Sequence, residues 1–158
     1  MPTSFVTGDL FAAKGIFAFA HGCNCAGAMG RGIAVEFKRR FPEMFREYKE
    51  RCIDGRFQLG DVFMWKQSPT VVFNLGTQPH WKAPAELAAI ATALRTMTAM
   101  AERDEIDRIA LPRIGAGFGS LDWANIRPIV EATGEASQVQ LVVFETFVAG
   151  QAPTNAGS

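Results

Sequence analysis

Residues 111–123 read LPRIGAGFGSLDW: a short apolar run, glycines at 115, 117 and 119, then an aspartate ahead of a helix-like stretch. Glycine admits dihedrals that other residues avoid and lets a ligand approach the main chain closely. A strand that dissolves into such a run before a helix is either a tight turn or an anion cradle. In the cradle, main-chain N–H groups and the next helix N-terminus face a phosphate. The run lacks the Gly-Lys-Ser/Thr ending of a P-loop, and its alternate glycines do not match the G-x-G-x-x-G dinucleotide fingerprint. It also comes late, with too little chain after it for a second nucleotide-binding half, so kinase, NTPase and dehydrogenase readings are weak. Residues 21–37, HGCNCAGAMGRGIAVEF, repeat the same grammar of strand, glycine-containing loop and helix. Two such loops could hold opposite sides of one diphosphate.

Working outward, Ser4–Thr7 and Ile16–Ala20 read as strands, being rich in β-branched and aromatic residues between turn formers. Gly30 to Arg40 places Ile33, Phe37 and Phe41 on one helical face, and a second helix starts at Pro42 with Phe45, Tyr48 and Cys52 at helical spacing. Asp61–Lys66 and Thr70–Leu75 are strands about a turn. The longest helix is expected from Pro84, which suits a first turn, with Leu87, Ile90, Ala91, Leu94, Met97 and Ala101 as its buried stripe. Ile106–Leu111 is a strand. Trp123 to Ala136 is a helix that Pro128 should start late or kink, and Val139–Phe147 is the last strand. Strands alternating with helices predict an α/β fold, a three-layer α/β/α domain with a central mixed, largely parallel sheet and ligands beyond the strands' carboxyl ends. Residues 1–150 are expected to form that single domain and 151–158 a disordered tail.

The composition suits one well-buried core: 158 residues, 48% hydrophobic, with 13 phenylalanines. Lys+Arg and Asp+Glu are both 16, so no global basic field points to nucleic acid or an anionic membrane. The opening MPTSFVTGDLF shows no charged leader followed by an apolar run, and no stretch approaches the ~20 apolar residues of a membrane span, so a cytoplasmic location is expected. A monomer is expected separately, the sequence itself giving no oligomeric state. Cys23, Cys25 and Cys52 match neither zinc nor redox spacing and are expected to be small buried thiols.

Five segments in order, TGDLF (7–11), NCAGAMGRGIAVEFKRRFP (24–42), GDVF (60–63), NLGTQPHWKAPAEL (74–87) and LPRIGAGFGSLDW (111–123), together resemble a macrodomain, the ADP-ribose-binding module. The resemblance runs from about Ser4 to Phe147 and is greatest to the branch of terminal ADP-ribose glycohydrolases and antitoxins that strip ADP-ribose from DNA bases. It implies that Asp9, with the backbone of Leu10, recognises the adenine edge, and that Asn24 lies beside the distal ribose. Gly30, Arg31, Gly32 and Ile33 would form one phosphate loop; Ile114, Gly115, Ala116, Gly117, Phe118 and Gly119 would form the other. Thr77 belongs to the same ligand set, and Phe144 would flank adenine or the proximal ribose. Asp9 is read as a ligand residue ahead of its alternative as a cap, and Phe144 equally as core.

The resemblance also has gaps. Hydrolases of this branch carry a lysine directly after the threonine of the fourth motif, where this chain has Gln78. The terminal glycohydrolases carry an aspartate within the second loop, where this chain has Gly119. The remaining catalytic candidates are Asn24, His80, Lys82 and Asp122. His80 can exchange protons near neutral pH, or pack beside Trp81. Lys82 can equally be a solvated side chain, and Asp122 an N-cap. No metal or cofactor is called for beyond ADP-ribose as ligand or product. The partners expected are ADP-ribose and ADP-ribosylated protein or DNA, with no membrane. Three readings follow: a hydrolase releasing ADP-ribose, a non-catalytic reader of it, and a nucleic-acid protein using the basic residues around Lys38–Arg51. In the last case the interleaved glutamates also fit an ordinary wet helix pair.

Overall fold

The computed structural model describes residues 1–155. The chain runs β1 (Ser4–Gly8), a 3-10 turn (Leu10–Ala12), β2 (Ala18–Asn24), α1 (Ile33–Arg40), α2 (Pro42–Ile53), β3 (Val62–Gln67) and β4 (Thr70–Gln78). It continues through α3 (Leu87–Arg103), β5 (Arg108–Pro112), α4 (Trp123–Glu135), β6 (Gln140–Phe147) and β7 (Thr154–Asn155). These strands make one seven-stranded sheet in the order β3-β4-β2-β5-β6-β1-β7. The four inner pairings, from β4–β2 to β6–β1, are parallel, and β3–β4 and β1–β7 are antiparallel. The mixed, largely parallel sheet expected from the alternating elements is therefore present.

Helices cover both faces, which is why central strands such as β4 are buried nearly end to end. On one face Ile90, Leu94 and Met97 of α3 and Ile126 and Val130 of α4 pack on Phe73, Leu75, Leu111 and Val143. On the other, Phe37 of α1 and Met44 and Tyr48 of α2 pack on Phe19, Val72, Ala110 and Phe144. Among the described residues no helix is long and apolar enough to cross a membrane.

Three local expectations are corrected. α3 starts at Leu87 rather than Pro84, because the preceding N–H groups are spent elsewhere: Ala85 N donates to Gly119 O (2.8 Å) and Glu86 N to Thr77 O (2.9 Å). The buried stripe turns accordingly, taking in Ala89 and Ala93 and leaving Leu87 38% exposed. Of the two effects expected of Pro128, a late start or a kink, the late start does not occur: α4 begins at Trp123 with Pro128 inside it. Residues 151–155, expected to be disordered, include β7, which pairs with β1 at Val6 and Thr7; residues 156–158 of that tail lie outside the described residues.

The polar half of β2 continues the strand because its partners are also buried. His21 is fully buried, its ring stacked on Phe37 (centroids 3.9 Å apart), with Nε2 donating to Asn74 Oδ1 at 2.7 Å. Asn74 Nδ2 donates in turn to Phe63 O (3.1 Å). His21 Nδ1 has no partner among the described residues. Burial, opposed by the Asn74 hydrogen bond, lowers the His21 pKa from 6.5 to about 4. The unfolded chain therefore binds a proton that the folded chain refuses, and the stability present above pH 6.5 is lost as pH falls towards 4. Between pH 7 and 5 the unfolding free energy should fall by ~2 kcal/mol from this group. Urea midpoints at the two pH values check this; an equal fall in His21→Gln would contradict it.

Candidate functional site

A cleft of about 920 Å³ opens at the carboxyl ends of β2, β4, β5 and β6. This is the position at which α/β sheets bind ligands. One wall is the loop from β2 into α1, with Ala28 to Ile33; the other is the loop from β5 into α4, with Arg113 to Gly119. Asn24, Thr77, Gln78, Trp81 and Lys82 line one end, and Phe144, Glu145 and Phe147 the other.

Both walls present unspent main-chain donors. The N–H groups of Gly30, Arg31, Gly32 and Ile33, and those of Gly115, Gly117, Phe118 and Gly119, donate to no described residue. Five of these eight residues are exposed and three half-buried, so the N–H groups are open to the cleft and free to bind an acceptor-rich anion that enters it. The backbone is shaped for it. Gly32, the N-cap of α1, has φ +62°, and Gly115 has φ +81° with Ile90 Cδ1 2.5 Å from where a Cβ would sit. Ser120 closes the second loop at φ +64°, a conformation uncommon for a non-glycine residue and frequent at binding sites.

Side chains tie the walls together. The Arg31 guanidinium lies 4.5 Å from the Phe118 ring centroid and donates through Nη2 to Trp81 O at 2.8 Å, so the first loop is fastened to the second and to the segment after β4. Gln78, where the resemblance leads one to expect lysine, donates from Nε2 to Ala83 O and to Phe118 O (3.3 Å). It braces the rim and has no nucleophilic atom to offer.

The structure sorts the predicted residues. Gly30 to Ile33, Thr77, Ile114 to Gly119, Phe144, Asn24 and Lys82 all line the cleft; Asp9, Leu10, His80 and Asp122 do not. Asp9 is 7% exposed, and its two carboxylate oxygens accept from Phe11 N and Gly150 N, both at 2.9 Å. It clasps the returning C-terminal segment, whose Gln151 O accepts from Asp9 N at 2.8 Å. Leu10 is fully buried in the core. His80 stacks on Trp81 (3.8 Å) and accepts the Lys82 N–H at Nδ1, which fixes the rim segment. Asp122 caps α4 by accepting from Ala124 N (3.0 Å). Asn24 lines the cleft but spends its amide internally. Oδ1 accepts from Ala26 N (3.0 Å), Ala28 N (3.2 Å) and Tyr48 OH (3.0 Å), while Nδ2 donates to Ala28 O (2.8 Å). Of the four catalytic candidates, Lys82 alone brings a chain-end group to the cleft without an ion pair or side-chain hydrogen bond among the described residues.

The thiols are chemically quiet. Cys23 is buried, and burial raises its pKa; Cys25 is pushed up to about 12 by burial, then by Cys52 and nearby carboxylates. Cys25 and Cys52 are half-buried rather than buried as expected. A thiol held protonated is a poor nucleophile. Residues that the sequence did not single out also line the cleft: Arg113, Trp81, Glu36, Glu145 and Phe147. Arg113 is exposed and makes no ion pair among the described residues, so it can meet an anion at the mouth of the second loop.

Comparison with known proteins agrees with this geometry. The family model Macro domain matches residues 20–130. A DNA ADP-ribosyl glycohydrolase of Mycobacterium tuberculosis is 34% identical over 146 residues, covering 89% of this chain and 41% of that protein. The ADP-ribose glycohydrolase OARD1 of Homo sapiens is 26% identical over 141 residues, covering 89% of this chain and 90% of that one. Among solved structures, the macrodomain of Mycobacterium tuberculosis DarG superposes with a TM-score of 0.82 at 32% identity, over 89% of this chain and 97% of that chain. The chain thus spans well under half the length of the mycobacterial glycohydrolase it matches.

Proposed function

The chain belongs to the Macro domain family, and on that premise we propose that its cleft takes ADP-ribose and that the protein hydrolyses the glycosidic bond joining ADP-ribose to a modified macromolecule. The observation that carries the reading is the double rank of unspent N–H groups at Gly30–Ile33 and Gly115–Gly119, which suits a diphosphate lying between them. Phe144 and Phe147 give the β6 end an apolar, aromatic lining fit for a base, so the adenosine half belongs there. The distal ribose then lies at the Asn24, Thr77, Gln78 and Lys82 end.

Cleavage at the distal anomeric carbon passes through an oxocarbenium-like state. Water adds to that carbon, the bond to the base nitrogen or ester oxygen breaks, and the leaving group takes a proton. A diphosphate fixed by main-chain donors places the reacting carbon, and positioning of this kind supplies much of an enzyme's acceleration. With Gln78 engaged at the rim, Lys82 is the side chain that can deliver the proton. A DNA base is the favoured attachment, because the relative at 34% identity is a DNA ADP-ribosyl glycohydrolase. The exposed Trp81 beside Lys82 also offers a face on which a neighbouring nucleobase can stack. A protein acidic side chain is the second substrate to test.

Purified protein incubated with an ADP-ribosylated DNA oligonucleotide and with an ADP-ribosylated protein should release ADP-ribose from the DNA, measured by mass spectrometry. Lys82→Ala should slow release by ~100-fold, the lower range for loss of a general acid. Release from neither substrate, with ADP-ribose still bound, would make the protein a reader. That reading has its own support in the absence of a nucleophile at residues 78 and 119.

A further inference from the structure

We propose that Arg31 and Phe118 form a bar across the waist of the cleft, which must open for ADP-ribose to enter or leave and so sets the ligand's residence time. The inference rests on the cleft taking ADP-ribose with its diphosphate between the two loops, and goes beyond it by naming what controls exchange.

The two loops are built alike at their tips. Arg31 lies between Gly30 and Gly32, and Phe118 between Gly117 and Gly119, so each tip carries one large side chain flanked by residues with none. In the fold those two side chains meet. The Arg31 guanidinium carbon lies 4.5 Å from the Phe118 ring centroid, and a Cβ added at Gly32 would stand 3.2 Å from two carbons of the same ring. One tip belongs to each wall, so the contact spans the cleft. Both ends are tied down: Arg31 Nη2 donates to Trp81 O at 2.8 Å, and Gln78 Nε2 donates to Phe118 O at 3.3 Å. Glu36, an acid that lines the cleft, is held by Arg39 (2.7 Å) and Arg40 (3.3 Å) and does not draw Arg31 away.

The shape of the ligand turns this contact into a gate. Asn24, Thr77 and Gln78 line one end of the cleft and Phe144 and Phe147 the other, with the bar between them. ADP-ribose is wide at both ends and narrow at the diphosphate. Neither adenosine nor a ribose joined to a macromolecule passes under a closed bar, so exchange waits for the tips to part. The contact suits that role. Cation–π pairs at exposed sites are weak, and Phe118 is 55% exposed. Glycines on both sides of each tip give the main chain freedom to turn. An added Cβ at Gly30 or at Gly117 meets no heavy atom within 4 Å, so packing does not pin either tip from that side. A bound diphosphate that accepts from N–H groups of both tips holds them together, and the positive charge of Arg31 favours that anion as well.

Association and dissociation rates of ADP-ribose on immobilised protein, read by surface plasmon resonance, test the assignment. Phe118→Ala removes the ring and leaves the Arg31 charge and the main-chain donors in place; it should raise koff by ~10-fold and kon by at least ~3-fold. Arg31→Ala would mix loss of the bar with loss of attraction for the anion. Arg31→Lys instead keeps the charge and loses the flat guanidinium, and both rates should rise there too, by ~2- to 5-fold. A faster koff in Phe118→Ala with kon unchanged or lowered would make Phe118 a plain ligand contact and overturn the inference. Wild-type rates in both variants would overturn it as well, while leaving the reading of the cleft intact. Should Phe118→Ala unfold, Arg31→Lys decides alone: both rates rising supports the bar, and either rate unchanged removes it. Wild type binding no ADP-ribose would contradict the reading of the cleft itself, and the inference would fall with it.

Discussion

Gly117→Val should lower affinity for ADP-ribose by at least ~100-fold, a loss of about 2.7 kcal/mol, while leaving the melting temperature nearly unchanged. A Cβ built at Gly117 meets no heavy atom within 4 Å, and its φ lies outside the left-handed region, so the fold does not require glycine there. Gly30 on the opposite wall is in the same position. Their neighbours differ. A Cβ at Gly119 would fall 2.5 Å from Gly115 O, within the loop's own backbone, and one at Gly115 would meet Ile90 Cδ1 at 2.5 Å. Substituting those two damages the loop, and any loss of binding would say nothing about the ligand. At Gly117 the added branches enter only the space that a phosphate would fill, and they shield the Gly117 and Phe118 N–H groups. Thermal unfolding and titration calorimetry on the same preparation check the pair of expectations; full affinity in Gly117→Val would remove the diphosphate from this loop.

The largest effect on stability should come from Asn24→Ala. The substitution strips acceptors from Ala26 N, Ala28 N and Tyr48 OH and a donor from Ala28 O, in a residue only 8% exposed. Tyr48 keeps Asn24 O (2.7 Å) as a partner, but the Ala26 and Ala28 amides do not have a second one. Leaving the part-buried Ala26 and Ala28 N–H groups without their acceptor, and loosening the buried Tyr48 hydroxyl, costs ~2–4 kcal/mol. In a chain of this size that is a fall of roughly 5 to 15 °C in Tm. Asn24→Asp should fall between wild type and alanine, because it keeps the acceptor and turns the donor into an anion facing Ala28 O. A scanning calorimetry midpoint for Asn24→Ala within ~2 °C of wild type would show that the knot does not hold the loop.

Much of the cleft was legible because its chemistry is main-chain chemistry. Glycines at 30, 32, 115, 117 and 119 announce loops that close in on something, and strand-to-helix grammar places both at the same edge of a parallel sheet. What stayed hidden was side-chain direction. Asn24 sits in the cleft and still spends its amide on Ala26, Ala28 and Tyr48, which becomes visible only when α2 is packed behind the loop. Asp9 was expected at the ligand, and the C-terminal segment claims it from the far end of the chain. Glu145 carried no signal at all: one acidic residue near the end of an apolar strand looks like a solvated edge until α4 brings Trp123 and Arg127 to one of its oxygens. The start of α3 was missed for the same kind of reason. Pro84 favours a first turn locally, but Gly119 O and Thr77 O, distant in sequence, take the N–H groups of Ala85 and Glu86 and hold that segment extended against the site.

The most direct test of the central claim, that the two glycine loops grip one diphosphate, is an isothermal titration of the wild-type chain with ADP-ribose, run beside ribose 5-phosphate and adenosine. One-to-one binding with Kd of ~10 μM or tighter, and neither fragment bound below ~1 mM, is the predicted result. Adenosine binding as tightly as ADP-ribose, or no heat from ADP-ribose at millimolar concentration, would contradict it.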